Sequence, residues 1–243
     1  ILYLAKFFTD YPNNSKNFLH NFFAFFVVLI PGFLIINQPD LGTGSMLILL
    51  GFAVIFLNGL SWNIIFSLTI VSLISIPLVW QNLLEYQKYR ILVFLNPELD
   101  TLGKGYQIMQ SKIAIGSGGM FGKGFLTGSQ SRLDFLPEKH TDFVYTLISE
   151  EMGFVGSVSV LILYFVINII LMREFRKEEN ITNKILIFGV SFLIFLYVVF
   201  NIGMVTGLIP VVGAPLPFIS NGGTSLITIF IGIGIIQSIR VSR

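Results

Sequence analysis

The sequence predicts an all-α integral membrane protein, a polytopic helix bundle with one long extracytoplasmic loop between its fourth and fifth helical segments. Of the 243 residues, 54% are apolar and 12% are charged, about half the charged share of a typical soluble domain. Residues 41–84, 153–171 and 185–239 contain no Asp, Glu, Lys or Arg. Because a membrane span needs about 20 residues, the first and third stretches can each hold two helices.

Apolar runs, and the Gly, Pro and Asn residues that interrupt them, define the individual predicted helices. In chain order they are a partial helix at 1–8 and spans at 21–37, 43–59, 62–81, 142–171, 184–206 and 223–239. Residues 82–141 form the long loop, and residues 106–115 within it have the pattern of an interfacial helix. The chain starts inside an apolar run that lacks the features of a signal peptide, so we expect it to begin partway through a longer protein.

The distribution of Lys and Arg predicts which ends of the helices face the cytoplasm. Alternation of the spans puts the loop around Lys16, the basic loop 173–184 and the tail after Arg240 on one side. The short loops on the other side, 38–42 and 207–222, contain no Lys or Arg. Since short cytoplasmic loops carry the basic excess, these two loops and the 82–141 segment are predicted to lie outside. Polar and Gly/Pro-rich elements from three parts of the chain then meet at one face, which indicates a cavity that opens outward.

Composition and motifs exclude several classes of function. The net charge of +2, from 15 basic and 13 acidic residues, indicates neither nucleic acid nor a strongly acidic partner. There is no Cys, and two His residues are too few for a His-rich metal site. The Gly-rich run 116–124 fits neither the Walker nor the dinucleotide fingerprint, so we expect no nucleotide and no haem.

The densest cluster of reactive side chains lies at 135–143, where the long loop enters a span. Glu138, Lys139, His140 and Asp142 fall within five residues and could supply a general base and an anion clamp. Alternatively, Thr141 and Asp142 only cap the following helix and complement its dipole. The pattern alone leaves both interpretations open.

Other polar residues have a structural alternative as well. Glu150 and Glu151 lie inside an apolar run, where carboxylates are usually functional or paired, and we favour a structural role that joins neighbouring helices. Asp40 is a candidate helix cap that also lies on the outer face. Lys123, in the Gly-rich run, could help to hold a phosphate. The 207–223 loop could present backbone groups to a substrate or form a packed re-entrant hairpin.

Five segments, in order, resemble the signature segments of the SEDS family of bacterial membrane proteins. They are residues 38–43, 116–124, 135–143, 150–153 and 215–223, and the likeness covers essentially the whole chain. Family members have ten transmembrane helices with both ends cytoplasmic, so residues 1–243 resemble a single, N-terminally truncated SEDS domain containing the last seven. Residues 128–138 are similar to the cell-elongation branch of the family rather than to its division branch.

This resemblance implies a peptidoglycan glycosyltransferase that polymerises lipid II at the outer face of the bacterial cytoplasmic membrane, during elongation and rod-shape maintenance. The family's essential carboxylate maps onto Asp142, the expected general base of an inverting reaction. The residues expected to bind substrate are Asp40, Lys123, Arg132, Glu138, Lys139, His140, Thr141 and Ser220. The residues expected to be structural or modulatory are Glu150, Glu151, Pro215, Pro217, Gly222 and Gly223.

The resemblance also implies partners and a possible cofactor. The expected partners are lipid II, a class B penicillin-binding protein, other proteins of the elongation complex and the membrane itself. A divalent cation, Mg²⁺ or Mn²⁺, could stabilise the leaving pyrophosphate. The alternative functions are a lipid II flippase and a noncatalytic scaffold. A transport path should place polar or charged groups through the depth of the membrane. Here charges concentrate at the predicted outer face, with only Glu150 and Glu151 deeper, which favours chemistry over translocation.

Overall fold

The described part of the chain is helical, as predicted. The computed structural model describes residues 1–10, 18–38, 40–59, 62–100, 102–128 and 141–242, and no strand occurs among them. The helices are α1 (Leu2–Asp10), α2 (Phe18–Asn37), α3 (Leu41–Leu57), α4 (Trp62–Asn82), α5 (Glu85–Leu95), a 3-10 turn (Pro97–Leu99), α6 (Lys104–Ser117), α7 (Val144–Lys177), α8 (Ile181–Val205) and α9 (Gly223–Val241). The bounds of the predicted spans agree with these helices to within a few residues.

Three of the described helices are long and apolar enough to cross a membrane. They are α7, α8 and α9, with 34, 25 and 19 residues. Residues 21–37 of α2 and 41–57 of α3 form shorter apolar helices, as do residues 69–78 within α4. Such lengths are near or below the lower limit for a span perpendicular to a bilayer of about 30 Å.

Helix α8 is at the centre of the bundle because it packs against α1, α3, α6, α7 and α9. Its residues Ile187, Ile194 and Met204 are essentially inaccessible to solvent and belong to the main apolar core. By contrast, α4 exposes large apolar side chains such as Phe66 and Ile74. Exposed apolar side chains are compatible with a lipid environment, which does not penalise them as water does.

Helix α6 packs into the bundle through a face formed by Gly105, Ile108, Ser111 and Ala114. Ser111 is fully buried, and its hydroxyl donates to the Val205 carbonyl at 2.8 Å and shares a 2.7 Å hydrogen bond with the hydroxyl of Thr146. The predicted helix at 106–115 is present as part of α6, and it contacts α7 and α8.

Helix α7 is interrupted at Gly153, and the turn formed by residues 118–124 fills the break. Gly153 has a left-handed φ of 66°. Four backbone hydrogen bonds join the turn to the break: Phe154 N to Gly119 O (2.8 Å), Val155 N to Met120 O (3.1 Å), Lys123 N to Glu150 O (3.0 Å) and Gly124 N to Glu151 O (3.1 Å). The turn thus pairs groups that a continuous helix would pair internally. This pairing matters because hydrocarbon offers unpaired backbone groups no water.

Close approach at this junction requires glycine, which leads to a test of stability. A methyl group on Gly118 would overlap the backbone carbonyl oxygen of Ser149, whereas a methyl group on Gly116 would meet nothing within 4 Å. We expect Gly118→Ala to destabilise the protein by about 1–3 kcal/mol, the usual cost of overpacking. Gly116→Ala is the matched control and should be neutral or slightly stabilising, since alanine favours helix. Thermal unfolding in detergent would show the difference, and equal melting temperatures for the two variants would contradict this account of the junction.

Candidate active site

One cavity of about 650 Å³ collects residues that are far apart in the sequence. It lies where the start of α3, the start of α6, the turn before α7 and the loop 207–222 meet. Its wall is formed by Asp40, Arg90, Gly103, Lys104, Gln107, Thr141, Asp142, Phe143, Val211, Val212, Gly213, Pro215, Asn221 and Gly222. The three polar or Gly/Pro-rich elements that were expected to converge on one face do meet here.

Asp142 stands on the cavity wall, immediately before α7. Phe143, and not Asp142, occupies the N-cap position of α7. Phe143 is also buried in the main apolar core, so it anchors the turn that carries Asp142. The carboxylate lies against Gly213, whose Cβ position would be 3.3 Å from Asp142 Oδ2. Gly213 has a φ of 71°, so a side chain there would be strained and would also crowd the carboxylate. The structure thus places the Asp142 carboxylate at the cavity, between the first residues of α7 and the loop 207–222.

The loop 207–222 is a packed re-entrant segment, and three side chains bind its backbone. Tyr164 donates through its hydroxyl to the Pro217 carbonyl. Asn201 donates to the Ala214 carbonyl at 2.7 Å and to the Asp142 carbonyl at 2.8 Å. Ser220, within the loop, accepts from Leu216 N at 2.7 Å and donates to the Thr141 carbonyl at 2.6 Å. One edge of this packed loop nevertheless faces the cavity, through residues 211–213, Pro215, Asn221 and Gly222.

Asp40 caps a helix, as one of the two interpretations predicted, and it also lies on the cavity wall. Its carboxylate accepts a hydrogen bond from Thr43 N at 3.0 Å and so caps the N-terminus of α3. The same residue is exposed and lines the cavity. Asp40 therefore brings a second carboxylate to the wall that holds Asp142.

Two cations on the cavity wall were missed by sequence reasoning. Arg90 comes from α5 and Lys104 is the first residue of α6, and both are partly buried. Burial lowers the pKa of Lys104, the charge of Arg90 lowers it further, and the charge of Asp142 raises it. Within the described ranges, neither cation forms an ion pair with a carboxylate. Two neighbouring cations without such a partner make this part of the wall suitable for an anion.

The signal for these cations in the sequence was weak. The basic residues of the long loop are dispersed, and nothing in the spacing of Arg90 and Lys104 relates them to Asp142. Gln107, one turn after Lys104, also lines the cavity and was not predicted either. Only Gly103 and Gly105, on either side of Lys104, mark a place where the backbone turns sharply into a helix.

Lys123 was expected at the substrate site, and the structure places it elsewhere. Its ammonium contacts Glu150 Oε1 at 2.8 Å, and Glu150 is fully buried. This ion pair lies at the break in α7 and neither residue is on the cavity wall. Glu151 is partly buried there, and its backbone carbonyl accepts from Gly124 N. The positions of Glu150 and Glu151 agree with the structural role that we favoured for them.

The remaining predicted residues divide between the wall and the packed loop. Thr141, Pro215 and Gly222 line the cavity. Ser220 was expected to bind substrate, but its hydroxyl is turned toward the loop backbone, which favours a positioning role. The remaining structural candidates are Pro217, bound through its carbonyl, and Gly223, the first residue of α9. Arg132, Glu138, Lys139 and His140 lie outside the described residues.

A divalent cation would find two protein carboxylates at this cavity. No group of three or more His, Cys, Asp or Glu residues suited to a metal occurs in the part of the chain that the structure describes. However, Mg²⁺ is commonly held by one or two carboxylates together with the phosphates of a substrate. Asp40 and Asp142 are the two carboxylates that the cavity wall offers for that mode of binding.

Comparison with known proteins agrees with these features. A model of the cell cycle protein family FtsW/RodA/SpoVE matches residues 1–243. The chain is 44% identical to peptidoglycan glycosyltransferase MrdB of Escherichia coli (strain K12), over 90% of this chain and 60% of that protein. It is 37% identical to stage V sporulation protein E of Bacillus subtilis (strain 168), over 100% of this chain and 66% of that protein.

Solved structures show the same likeness. A chain of a peptidoglycan synthase complex, described as coordinating polymerization and crosslinking, has a TM-score of 0.78 and 32% identity, covering 96% of this chain and 64% of that one. The rod shape determining protein RodA of Thermus thermophilus has a TM-score of 0.57 and 26% identity, covering 88% of this chain and 54% of that one. The chain spans about 60% of the length of its relative MrdB of Escherichia coli. Sequence, fold and spanning helices together show that this chain is a multi-pass membrane protein belonging to the SEDS family, the cell cycle protein family of FtsW, RodA and SpoVE.

Proposed function

We propose that this protein is a peptidoglycan glycosyltransferase that polymerises lipid II during cell elongation, with Asp142 as the general base. The observation that carries the proposal is the placement of Asp142 in a cavity beside Arg90 and Lys104, two cations without an ionic partner among the described residues. The cavity volume of about 650 Å³ falls within the range of small-molecule sites. Relatives named peptidoglycan glycosyltransferase support the same reaction.

In the proposed reaction, Asp142 accepts the proton of the 4-hydroxyl of the acceptor GlcNAc. The acceptor oxygen then forms a bond to the anomeric carbon of the donor MurNAc. The bond from that carbon to the pyrophosphate oxygen breaks, and undecaprenyl pyrophosphate leaves with the electron pair. Attack opposite the leaving group inverts the configuration at the anomeric carbon. General bases of this kind contribute about 10²–10⁴-fold to a rate.

The leaving group gains negative charge, and Arg90 and Lys104 can stabilise it. In this proposal they replace Lys123, whose ammonium is occupied by Glu150. Fixed charges that face developing charge in a partly dehydrated site are worth more than the same charges in water. Mg²⁺ or Mn²⁺ on the substrate pyrophosphate, with Asp40 as the candidate protein ligand, would add Lewis-acid stabilisation of the same oxygens and would leave Asp142 to act as the base.

The proposed location is the bacterial cytoplasmic membrane, with the cavity on the extracytoplasmic face and the C-terminus in the cytoplasm. Charge distribution supports this orientation. Arg173, Arg176, Lys177, Lys184 and Arg240 lie at one end of helices α7–α9, and Asp142 lies at the other. The proposed partners are a class B penicillin-binding protein and other elongation proteins, supported by the similarity to a peptidoglycan synthase complex.

The arrangement of charges favours this chemistry over lipid II transport. In α7, α8 and α9 the charged residues are confined to the terminal turns, apart from Glu150 and Glu151 in the outer third of α7. Glu150 is neutralised by Lys123. A transport path would need polar or charged groups across the membrane depth. A scaffold role alone would not account for the cavity with its two carboxylates and two cations.

The first test of this proposal is removal of the base. Asp142→Asn keeps the size of the side chain and removes its ability to accept the proton, so polymerisation should fall by about 10²-fold or more. The assay uses the protein as its gene encodes it, purified with its penicillin-binding-protein partner, and measures glycan strands from labelled lipid II. Glu98→Gln is the matched control, because Glu98 is an exposed carboxylate of the outer segment away from the cavity. Polymerisation by Asp142→Asn at the control rate would refute the assignment of the base.

The second test concerns Lys104 and pH. Burial and the charge of Arg90 lower the pKa of Lys104. As the pH rises, the Lys104 ammonium therefore loses its proton earlier than the ammonium of an ordinary lysine does. We expect the rate of polymerisation to decline on the alkaline side as this charge is lost. Lys104→Arg keeps the charge, so its decline should begin at higher pH. Lys104→Ala should lower kcat/KM by about tenfold or more at neutral pH, which is typical for a lost hydrogen bond to a charged group.

Lys88→Ala provides the control for Lys104. Lys88 lies in α5, two residues before Arg90. Its ammonium donates to the Gln81 carbonyl, and Lys88 does not line the cavity. Its pH profile and kcat/KM should match those of the wild type. Added inorganic pyrophosphate should inhibit the wild type and Lys88→Ala more strongly than Lys104→Ala. Identical inhibition of all three proteins would show that Lys104 does not contact the leaving group.

A further inference from the structure

We infer that Asn201 is a positioning residue, whose side-chain amide holds Asp142 in its reactive place by joining it to the loop 207–222. This inference rests on the proposed role of Asp142 as the base. Asn201 lies near the outer end of α8 and is completely buried. Its Nδ2 donates two hydrogen bonds, one to the Asp142 carbonyl at 2.8 Å and one to the Ala214 carbonyl at 2.7 Å.

The orientation of this amide is determined by its partners. Both partners are backbone carbonyl oxygens, which only accept hydrogen bonds. The NH₂ group must therefore face them, since Oδ1 in the same place would repel both. Asparagine supplies two N–H donors on one atom at this distance from the main chain. Leucine has a similar size and supplies no donor. It could fill the space of Asn201 but would leave the Asp142 and Ala214 carbonyls without these hydrogen bonds.

The hydrogen bonds of Asn201 connect two separate parts of the cavity wall. Asp142 precedes α7, whereas Ala214 lies in the loop between α8 and α9 and is adjacent to Gly213, against which the Asp142 carboxylate lies. Ser220 binds the neighbouring Thr141 carbonyl at 2.6 Å. Two consecutive carbonyls are thus held: that of Thr141 by Ser220 of the loop, and that of Asp142 by Asn201 of α8. The backbone of the base cannot move away from Gly213 without breaking one of these bonds.

The amide oxygen of Asn201, Oδ1, also indicates that asparagine is present for its two N–H donors. Asn201 Oδ1 is buried and has no hydrogen-bond partner in the part of the chain that the structure describes. An unpaired acceptor in a protein interior costs folding free energy, and an apolar side chain of the same shape would avoid that cost. The presence of asparagine here is explained by the two carbonyls that its NH₂ group binds.

The test separates positioning from stability with a matched pair of substitutions. Asn201→Leu removes both donors and keeps the approximate size of the side chain. Asn168→Leu is the control. Asn168 lies in α7, donates to the Tyr164 carbonyl at 3.0 Å and accepts from the Ser191 hydroxyl at 2.9 Å, and it does not line the cavity. Each variant removes the hydrogen bonds of one asparagine side chain. Only Asn201→Leu removes a hydrogen bond to Asp142, so only this variant should affect the base.

The readouts are kcat and KM for lipid II and the thermal unfolding temperature, for the protein purified with its partner. Asn201→Leu should lower kcat by about 10–100-fold, the usual effect of misplacing a reacting group by about 1 Å, with KM changed less than threefold. Asn168→Leu should leave both constants near the wild-type values, even where it lowers the unfolding temperature. Wild-type kcat in folded Asn201→Leu, or an equal loss of kcat in Asn168→Leu, would overturn the inference.

A second variant covers the case in which Asn201→Leu does not fold. Histidine places its Nδ1–H at the same number of bonds from Cα as asparagine places Nδ2, so Asn201→His retains one donor. Its kcat should lie between those of the wild type and Asn201→Ala, and a value equal to the wild type would count against the inference.

Asp142→Asn, assayed in parallel, separates the inference about Asn201 from the proposed function. If Asp142→Asn remains active, the proposed function fails and the inference fails with it; if it is inactive while Asn201→Leu polymerises normally, only the inference about Asn201 fails.

Discussion

The pairing of backbone groups at irregular segments is the constraint on which the rest of this structure depends. Hydrocarbon supplies no water, so each N–H and C=O outside a continuous helix needs a partner within the protein. The break in α7 at Gly153 is paired by the turn 118–124, and the loop 207–222 is bound by Tyr164, Asn201 and Ser220. The second of these arrangements allows the non-helical loop 207–222 to line the cavity, and helices alone could not have brought Gly213 against Asp142.

The electrostatics of the cavity follow from that framework. Asp40 and Asp142 enter through the starts of two helices, and Arg90 and Lys104 enter through the long outer segment. Because α6 is held against α7 and α8 by Ser111, Lys104 at its first residue has a defined position. The ion pair between Lys123 and the buried Glu150 lies at the break in α7, away from the residues that line the cavity. Asp40, by contrast, both caps α3 and faces the cavity.

Much of the fold could be predicted because hydropathy acts locally. A helix in lipid needs about 20 apolar residues, so the charge-free stretches indicate the spans and their ends to within a few residues. Asp142 could be proposed because it stands at such an end among other polar residues. The break in α7 could not be predicted, since Gly153 lies in an apolar run that reads as continuous helix. Its left-handed φ depends on the turn 118–124, about 30 positions earlier in the chain.

The sequence by itself determined the order of the helices and the face on which polar segments gather. Both follow from composition over a short window or from the alternation of spans, whereas the choice of Asp142 as the base rests on the resemblance to the SEDS family. Only the tertiary structure decided that Arg90 and Lys104, rather than Lys123, share the cavity with Asp142, and that Asn201 binds its carbonyl. Arg90 and Asn201 are each more than 50 positions from Asp142. Which distant residues meet depends on how helices pack and on which backbone groups need partners, and neither is visible in a local pattern.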